Sequence, residues 1–95
     1  MSDPILNNNT AENRYELVAD GNVVGYCAYS VDGNTVTITH TEIGKEHAGK
    51  GYGSALAKGV LGQLKNNNQK LVPQCEFIAG YVQKKQPEYD QLLAS

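Results

Sequence analysis

The chain has 95 residues, 40% of them hydrophobic, with 8 basic and 10 acidic side chains and a net charge of −2. That length and apolar content support one small core and not two. The charge balance excludes a polybasic nucleic-acid binder and an acidic disordered tail, and no run approaches the ~20 apolar residues of a membrane span.

Met1-Ser2-Asp3-Pro4 lacks the basic start and apolar run of a signal peptide. Cys27 and Cys75 stand far apart and form no CxxC, and the two Cys and two His lie nowhere near zinc-ligand spacing. The expectation is a cytoplasmic thiol protein with no disulfide scaffold and no structural metal.

Residues 1–13 read as a flexible lead-in, since Asn7-Asn8-Asn9-Thr10 is polar and non-periodic. Residues 14–95 read as one domain. Arg14 to Ala19 has strand composition and ends at the turn signal Asp20-Gly21-Asn22; Val23 to Tyr29 is a second strand, ended by Asp32-Gly33-Asn34. Thr35 to Glu42 alternates almost strictly, with Val36, Ile38 and His40 on one face and the threonines on the other. Three strands of an antiparallel meander follow from this.

The period then changes. Tyr52, Ala55, Leu56, Gly59, Val60 and Leu64 recur at helical spacing, which predicts a helix from about Gly51 to Lys65, ended by Asn66-Asn67-Asn68. Lys70 to Gln74 is a short fourth strand, and Pro73 places it at an edge or a bulge. Phe77, Ile78, Tyr81 and Val82 form a second helical stripe, broken at Pro87, with room for a last short turn over Glu88–Leu93. The result is an α+β fold in the order β-β-β-α-β-α with two main helices.

The chemistry points to the loop between the third strand and the first helix, Gly49-Lys50-Gly51-Tyr52-Gly53. Closely spaced glycines permit unusual φ and close approach of a ligand, and the amides opening the helix favour an anion, most naturally phosphate. The same glycines also serve a tight strand–helix turn with no ligand. A Rossmann site lacks its βαβ unit, and a Walker loop lacks its Gly-Lys-Ser/Thr.

Glu46-His47-Ala48-Gly49-Lys50-Gly51-Tyr52-Gly53-Ser54-Ala55-Leu56 resembles the acetyl-CoA pyrophosphate loop of the GNAT superfamily of N-acetyltransferases, whose pattern is Arg/Gln-x-x-Gly-x-Gly/Ala. Gly51 and Gly53 match its glycines, while Ala48 stands where Arg or Gln is expected. With His40-Thr41-Glu42, Pro73-x-Cys75-x-Phe77, Tyr81 and Pro87-Glu88-Tyr89, the stretch from Arg14 to Tyr89 is similar to very small, single-domain GNAT-like proteins. In that subgroup a His often precedes Pro-Glu-Tyr; here Gln86 does.

The resemblance implies a mostly antiparallel mixed sheet whose strands ending near Glu42 and Gln74 splay apart. It implies that acetyl-CoA, or coenzyme A, enters that gap. Its pantetheine arm would pair with backbone at Glu42 and Ile43, and its pyrophosphate would rest on Gly49, Lys50, Gly51, Tyr52, Gly53 and Ser54. It implies two catalytic candidates, Cys75 as an acetyl-accepting nucleophile and Tyr81 as the donor of a proton to the departing thiolate.

Each candidate has a plainer reading beside it. Cys75 opens a helix, which favours thiolate, but Glu76 opposes it by like charge; the alternative is a small buried junction residue. Tyr81 is otherwise a core Tyr whose hydroxyl reaches the surface. Glu42, sharing a face with His40, is either a base for an ammonium acceptor or a solvated strand end, with His40 a core imidazole. His47 reads as exposed and near the phosphate loop, Cys27 as core. Lys45, Lys50 and Lys58 add positive charge nearby or lie on a solvated face. The expected function is acetyl transfer to a small-molecule or protein amine, with no nucleic-acid or membrane partner. The alternatives are a non-catalytic acyl-CoA-binding or sensor module, which Ala48 and the small acceptor surface favour, and an interaction domain that keeps the fold without the ligand.

Overall fold

Two tight turns organise the sheet. In the computed structural model, which describes residues 4–47, 49, 51–85 and 89–93, Asp20 and Gly21 both have positive φ, 52° and 80°. That is the requirement of a two-residue type I′ hairpin, and it joins β2 (Arg14–Ala19) to β3 (Asn22–Asp32). Gly33 at φ 61° opens the next two-residue turn, into β4 (Thr35–Ile43). An eleven-residue β3 is longer than the Val23–Tyr29 expected, because the turn at Gly33 lets the pairing run on to Asp32↔Thr35.

Residues 5–9 are not a lead-in but a strand, β1 (Ile5–Asn9), antiparallel to β2. Its polar side chains hide it from a hydrophobicity pattern, yet they are used. The Tyr29 hydroxyl donates to Asn8 Oδ1 at 2.7 Å, and the Asn9 amide donates to Glu16 at 3.1 Å. Leu6 crosses onto α1 (Tyr52–Asn66), where Gly59 leaves it space: a methyl there would stand 3.3 Å from Leu6 Cδ2.

The sheet runs β1-β2-β3-β4-β5, with β5 (Lys70–Pro73) at the edge that Pro73 predicts and parallel to β4. A parallel neighbour needs a crossover, and α1 is that crossover. Leu56, Ala57, Val60, Leu61 and Leu64 of α1 are fully buried on one face of the sheet, with Leu17, Cys27, Val36, Ile38 and Leu71. The second helix, α2 (Glu76–Lys84), adds Ile78 and Val82 to this core and touches α1, β4 and β5. A short 3₁₀ turn over Asp90–Leu92 replaces the last helical turn expected. No helix of the described residues is long and apolar enough to cross a membrane.

β4 departs from the strict alternation expected over Thr35 to Glu42. Tyr29 pairs with Ile38 and Ala28 with His40, so Thr39 is an unpaired bulge residue. Before it, Val36 and Ile38 face the core. Beyond it the faces exchange: Thr41 and Ile43 turn inward, while His40 and Glu42 are exposed. His40 is therefore not a core imidazole. It shares the outer face with Glu42, 3.8 Å away, and with the Tyr26 ring, 6.0 Å between centroids.

Candidate active site

The sheet opens between its two parallel strands. Pairing of β4 with β5 covers Thr35–Ile38 and Lys70–Pro73, and its last link is the Cys75 amide donating to the Ile38 carbonyl at 3.0 Å. Pro73 has no N–H to extend the ladder. The chain then turns into α2, while β4 continues to Ile43 with no strand of the described residues beside its outer edge. Glu42 and Ile43 thus lie on the splayed edge, with the Glu42 side chain exposed and Ile43 packed on the core.

After Gly44 a 3₁₀ turn over Lys45–His47 leads to Gly49 at φ 83° and Gly51 at φ 81°. Side chains rarely adopt this left-handed conformation. Gly51 is the N-cap of α1, and no side chain caps the first-turn amides of 52–54. Such N–H groups and a helix dipole favour an anion, which makes this loop a candidate anion cradle. Ala48 and Lys50 lie outside the described residues, as do Gln86, Pro87 and Glu88. His47 is half-buried rather than exposed, its ring meeting Tyr52 edge-on at 5.8 Å.

Beside this cradle a cleft of about 470 Å³ runs along α2, lined by Ser54, Phe77, Gly80 and Tyr81, by the carboxylate Glu76 at one end and by Lys84 and Lys85 at the other. Phe77 is 43% exposed, a large apolar ring left in solvent. The Lys85 ammonium stands 5.9 Å above the Tyr81 ring. Phe77, Tyr81 and Lys84/Lys85 follow each other at helical spacing, so one face of α2 supplies both an aromatic wall and positive charge. Of the lysines that the sequence offers as nearby charge or as a solvated face, Lys45 and Lys58 are exposed and Lys50 lies outside the described residues; the sequence reading gives no role to Lys84, Lys85 or Thr41. The i, i+4, i+7/i+8 pattern of α2 was the signal for the first two.

Cys75 is the N-cap of α2 and half-buried. Its thiol lies 3.2 Å from Thr41 Oγ1. Burial raises its pKa, but the Thr41 hydroxyl and the nearby amides of Ile78, Phe77 and Thr41 outweigh that, leaving it below the ordinary thiol value. The Cys75 side chain closes no capping hydrogen bond onto the first turn of α2. Glu76, expected to oppose the thiolate, is exposed and solvent-screened. Cys75, the N-cap, and Tyr81 stand six positions apart along α2, a rise of about 9 Å along its axis. Tyr81 faces the cleft, and Cys75 faces the strand opening.

The residues present fit a phosphate-bearing, partly apolar cofactor. The left-handed glycines and uncapped amides suit an anion, Lys84 and Lys85 add positive charge that Glu76 partly offsets, and Phe77 offers an apolar face.

Over residues 14–92 the chain matches the family model described as GCN5-related N-acetyl-transferase. Among solved structures it is similar to a GCN5-like protein from Staphylococcus aureus, at 28% identity and TM-score 0.68, covering 100% of this chain and 92% of that one. Two ribosomal-protein alanine N-acetyltransferases share the fold. The one from Escherichia coli has 13% identity and TM-score 0.64, over 77% of this chain and 50% of that one. The one from Brucella melitensis biovar Abortus has 20% identity and TM-score 0.57, over 86% and 60%. No curated protein sequence matches. The chain belongs to the GCN5-related N-acetyltransferase family, the same GNAT class its loop resembles.

Proposed function

We propose that the protein binds acetyl-CoA and transfers its acetyl group to an amine. The observation that carries this reading is the opening of the sheet after Ile38, with the free edge of Glu42–Ile43 on one side, Cys75 on the other and the uncapped start of α1 next to it. When bound, acetyl-CoA supplies an acetyl group already activated as a thioester. Gly49 to Ser54 hold the pyrophosphate through main-chain amides, Lys84 and Lys85 neutralise charge along the cleft, and Phe77 covers apolar surface. The Glu42–Ile43 edge takes the pantetheine amides.

Cys75 is the nucleophile in this reading. As the thiolate, its sulfur would bond to the acetyl carbon while the carbon–sulfur bond to the carrier breaks; the Tyr81 hydroxyl would protonate the carrier thiolate and regain its proton from solvent, and an amine would then displace the Cys75 thiolate from the acetyl group and lose its own proton to solvent. Residue-by-residue NMR titration with acetyl-CoA, CoA and ATP tests binding. Shifts at Glu42–Ile43, Gly49–Ser54 and along α2 are expected with both CoA forms, and shifts confined to other surfaces overturn the site. Intact mass after incubation with acetyl-CoA alone tests the intermediate: one acetyl adduct, absent in Cys75→Ser and removed by an amine, is expected. No adduct, with amine acetylation persisting in Cys75→Ala, leaves direct transfer.

A second reading, an acyl-CoA sensor with little catalysis, is favoured by Ala48 where the family pattern has Arg or Gln. Tight CoA binding with no acetylation of any amine would decide for it.

A further inference from the structure

Thr41 stands between two thiols. Its Oγ1 is 3.2 Å from Cys75 Sγ and 3.4 Å from Cys27 Sγ, the first half-buried at the strand opening, the second fully buried in the core. The bulge at Thr39 creates this contact, because without it Thr41 would face outward with His40's neighbours.

We propose that Thr41, backed by Cys27, is a positioning residue for Cys75, its hydroxyl alternating between two hydrogen-bonded arrangements that follow the proton on the Cys75 sulfur. This rests on the reading of Cys75 as the acetyl-accepting thiol. A hydroxyl has one proton and two lone pairs. With Cys75 protonated, its S–H donates to Thr41 Oγ1 and the Thr41 hydroxyl donates to Cys27 Sγ. Once Cys75 has lost its proton to solvent, only the reverse works: Cys27 S–H donates to Thr41 Oγ1, and the Thr41 hydroxyl donates to the Cys75 anion. No atom changes owner within the trio; only the direction of the two hydrogen bonds changes.

Cys27 suits the role of the permanent donor. Burial pushes its thiol up to about 11, against a partial counter-effect of the Thr41 hydroxyl, so it keeps its proton while Cys75 titrates. The titratable neighbours of Cys75 are Cys27 on β3 and the exposed Glu76 on α2, and from β4 the Thr41 hydroxyl and amide face it. Cys27 and Cys75 are both free thiols, and each meets the Thr41 hydroxyl.

The test is the pH profile of Cys75 alkylation by iodoacetamide, located by peptide mass and read without any acetyl-CoA. The wild-type rate is expected to reach half its maximum below the pH of a free thiol. Thr41→Val moves the midpoint up, by about one unit if the hydroxyl bond is the main support, and so cuts the neutral-pH rate roughly tenfold. Thr41→Ser retains the wild-type midpoint, and Cys27→Ala moves it up by less than Thr41→Val. Amide spectra establish that each variant is folded, and Thr41→Ala replaces Thr41→Val if valine unfolds the chain. A folded Thr41→Val or Thr41→Ala with the wild-type profile overturns the proposal, as does a Thr41→Ser profile matching valine. An unmoved Cys27→Ala overturns the part given to Cys27. If the profiles shift as expected and no acetyl adduct forms, the positioning stands and the nucleophile reading fails.

Discussion

Phe77 lies over Gly53, so close that a methyl group at position 53 would stand 3.0 Å from the ring's Cζ. One residue opens α1 and the other opens α2, and their contact fixes how the anion cradle meets the cleft. Gly53→Ala is expected to leave stability unchanged or raise it by about 0.5–1 kcal/mol, the helix preference of Ala over Gly. It should still displace Phe77 and weaken acetyl-CoA by about 1 kcal/mol, roughly fivefold. Thermal melting and calorimetric titration of the same sample separate the two effects. A variant that binds as wild type does would remove Phe77 from the site.

Gly51 combines a left-handed backbone with a place at the start of α1. Gly51→Asn introduces a side chain that tolerates φ near +60°, whereas Gly51→Asp adds a negative charge against the expected pyrophosphate. Acetyl-CoA affinity is expected to fall at least tenfold more in the aspartate variant than in the asparagine variant. Equal affinities in two folded proteins would locate the phosphates elsewhere.

Position 48 is tested from the loop pattern, since it lies outside the described residues. Ala48→Arg should tighten acetyl-CoA by about 1.5–3 kcal/mol if the guanidinium reaches a phosphate, and by less than about 1 kcal/mol at an exposed contact. Unchanged or weaker binding by isothermal titration would count against aligning Ala48 with the family's Arg/Gln.

The buried thiol of Cys27 makes the fold sensitive to alkali. Burial raises it from an ordinary 9.0 to about 11. Between those values the unfolded chain loses this proton and the folded chain keeps it. The unfolded state then binds fewer protons, and stability falls as pH rises. The Cys27 contribution to that fall is about 1–1.5 kcal/mol by about pH 10. Burial of Tyr15 raises its phenol too and adds a slope of the same sign. Urea unfolding at a series of pH values should therefore show a shallower alkaline decline in Cys27→Ala than in wild type. Equal slopes would mean that Cys27 ionises in the folded protein as readily as in the unfolded chain.

Much of this architecture was legible because local chemistry and tertiary packing agree. Asp20-Gly21 and Gly33 are turn signals whose positive φ values the structure realises. The stripe from Leu56 to Leu64 is the buried face of α1, and Pro73 marks the edge strand. What escaped did so for identifiable reasons. The strand at Ile5–Asn9 is stabilised by asparagine side chains bonding to Tyr29 and Glu16, partners distant in sequence. The inversion at His40 depends on one unpaired residue that periodicity cannot see. Of the site, the glycine loop and the expected position of Cys75 were readable, while Thr41 was not, since its partner thiols are 14 and 34 residues away.

The bulge at Thr39 works as a phase shift written into a strand. Upstream of it, odd and even positions have one assignment to the two sides of the sheet; downstream they have the opposite one. Four consecutive residues, His40 to Ile43, are thereby shared out between two compartments, the imidazole and carboxylate to the bare outer surface and the hydroxyl and isoleucine to the interior. Loss or gain of one residue here would transpose both sets at once, carrying an ionisable pair into the core and Thr41 away from Cys75. This stretch can therefore vary in side-chain identity far more readily than in length.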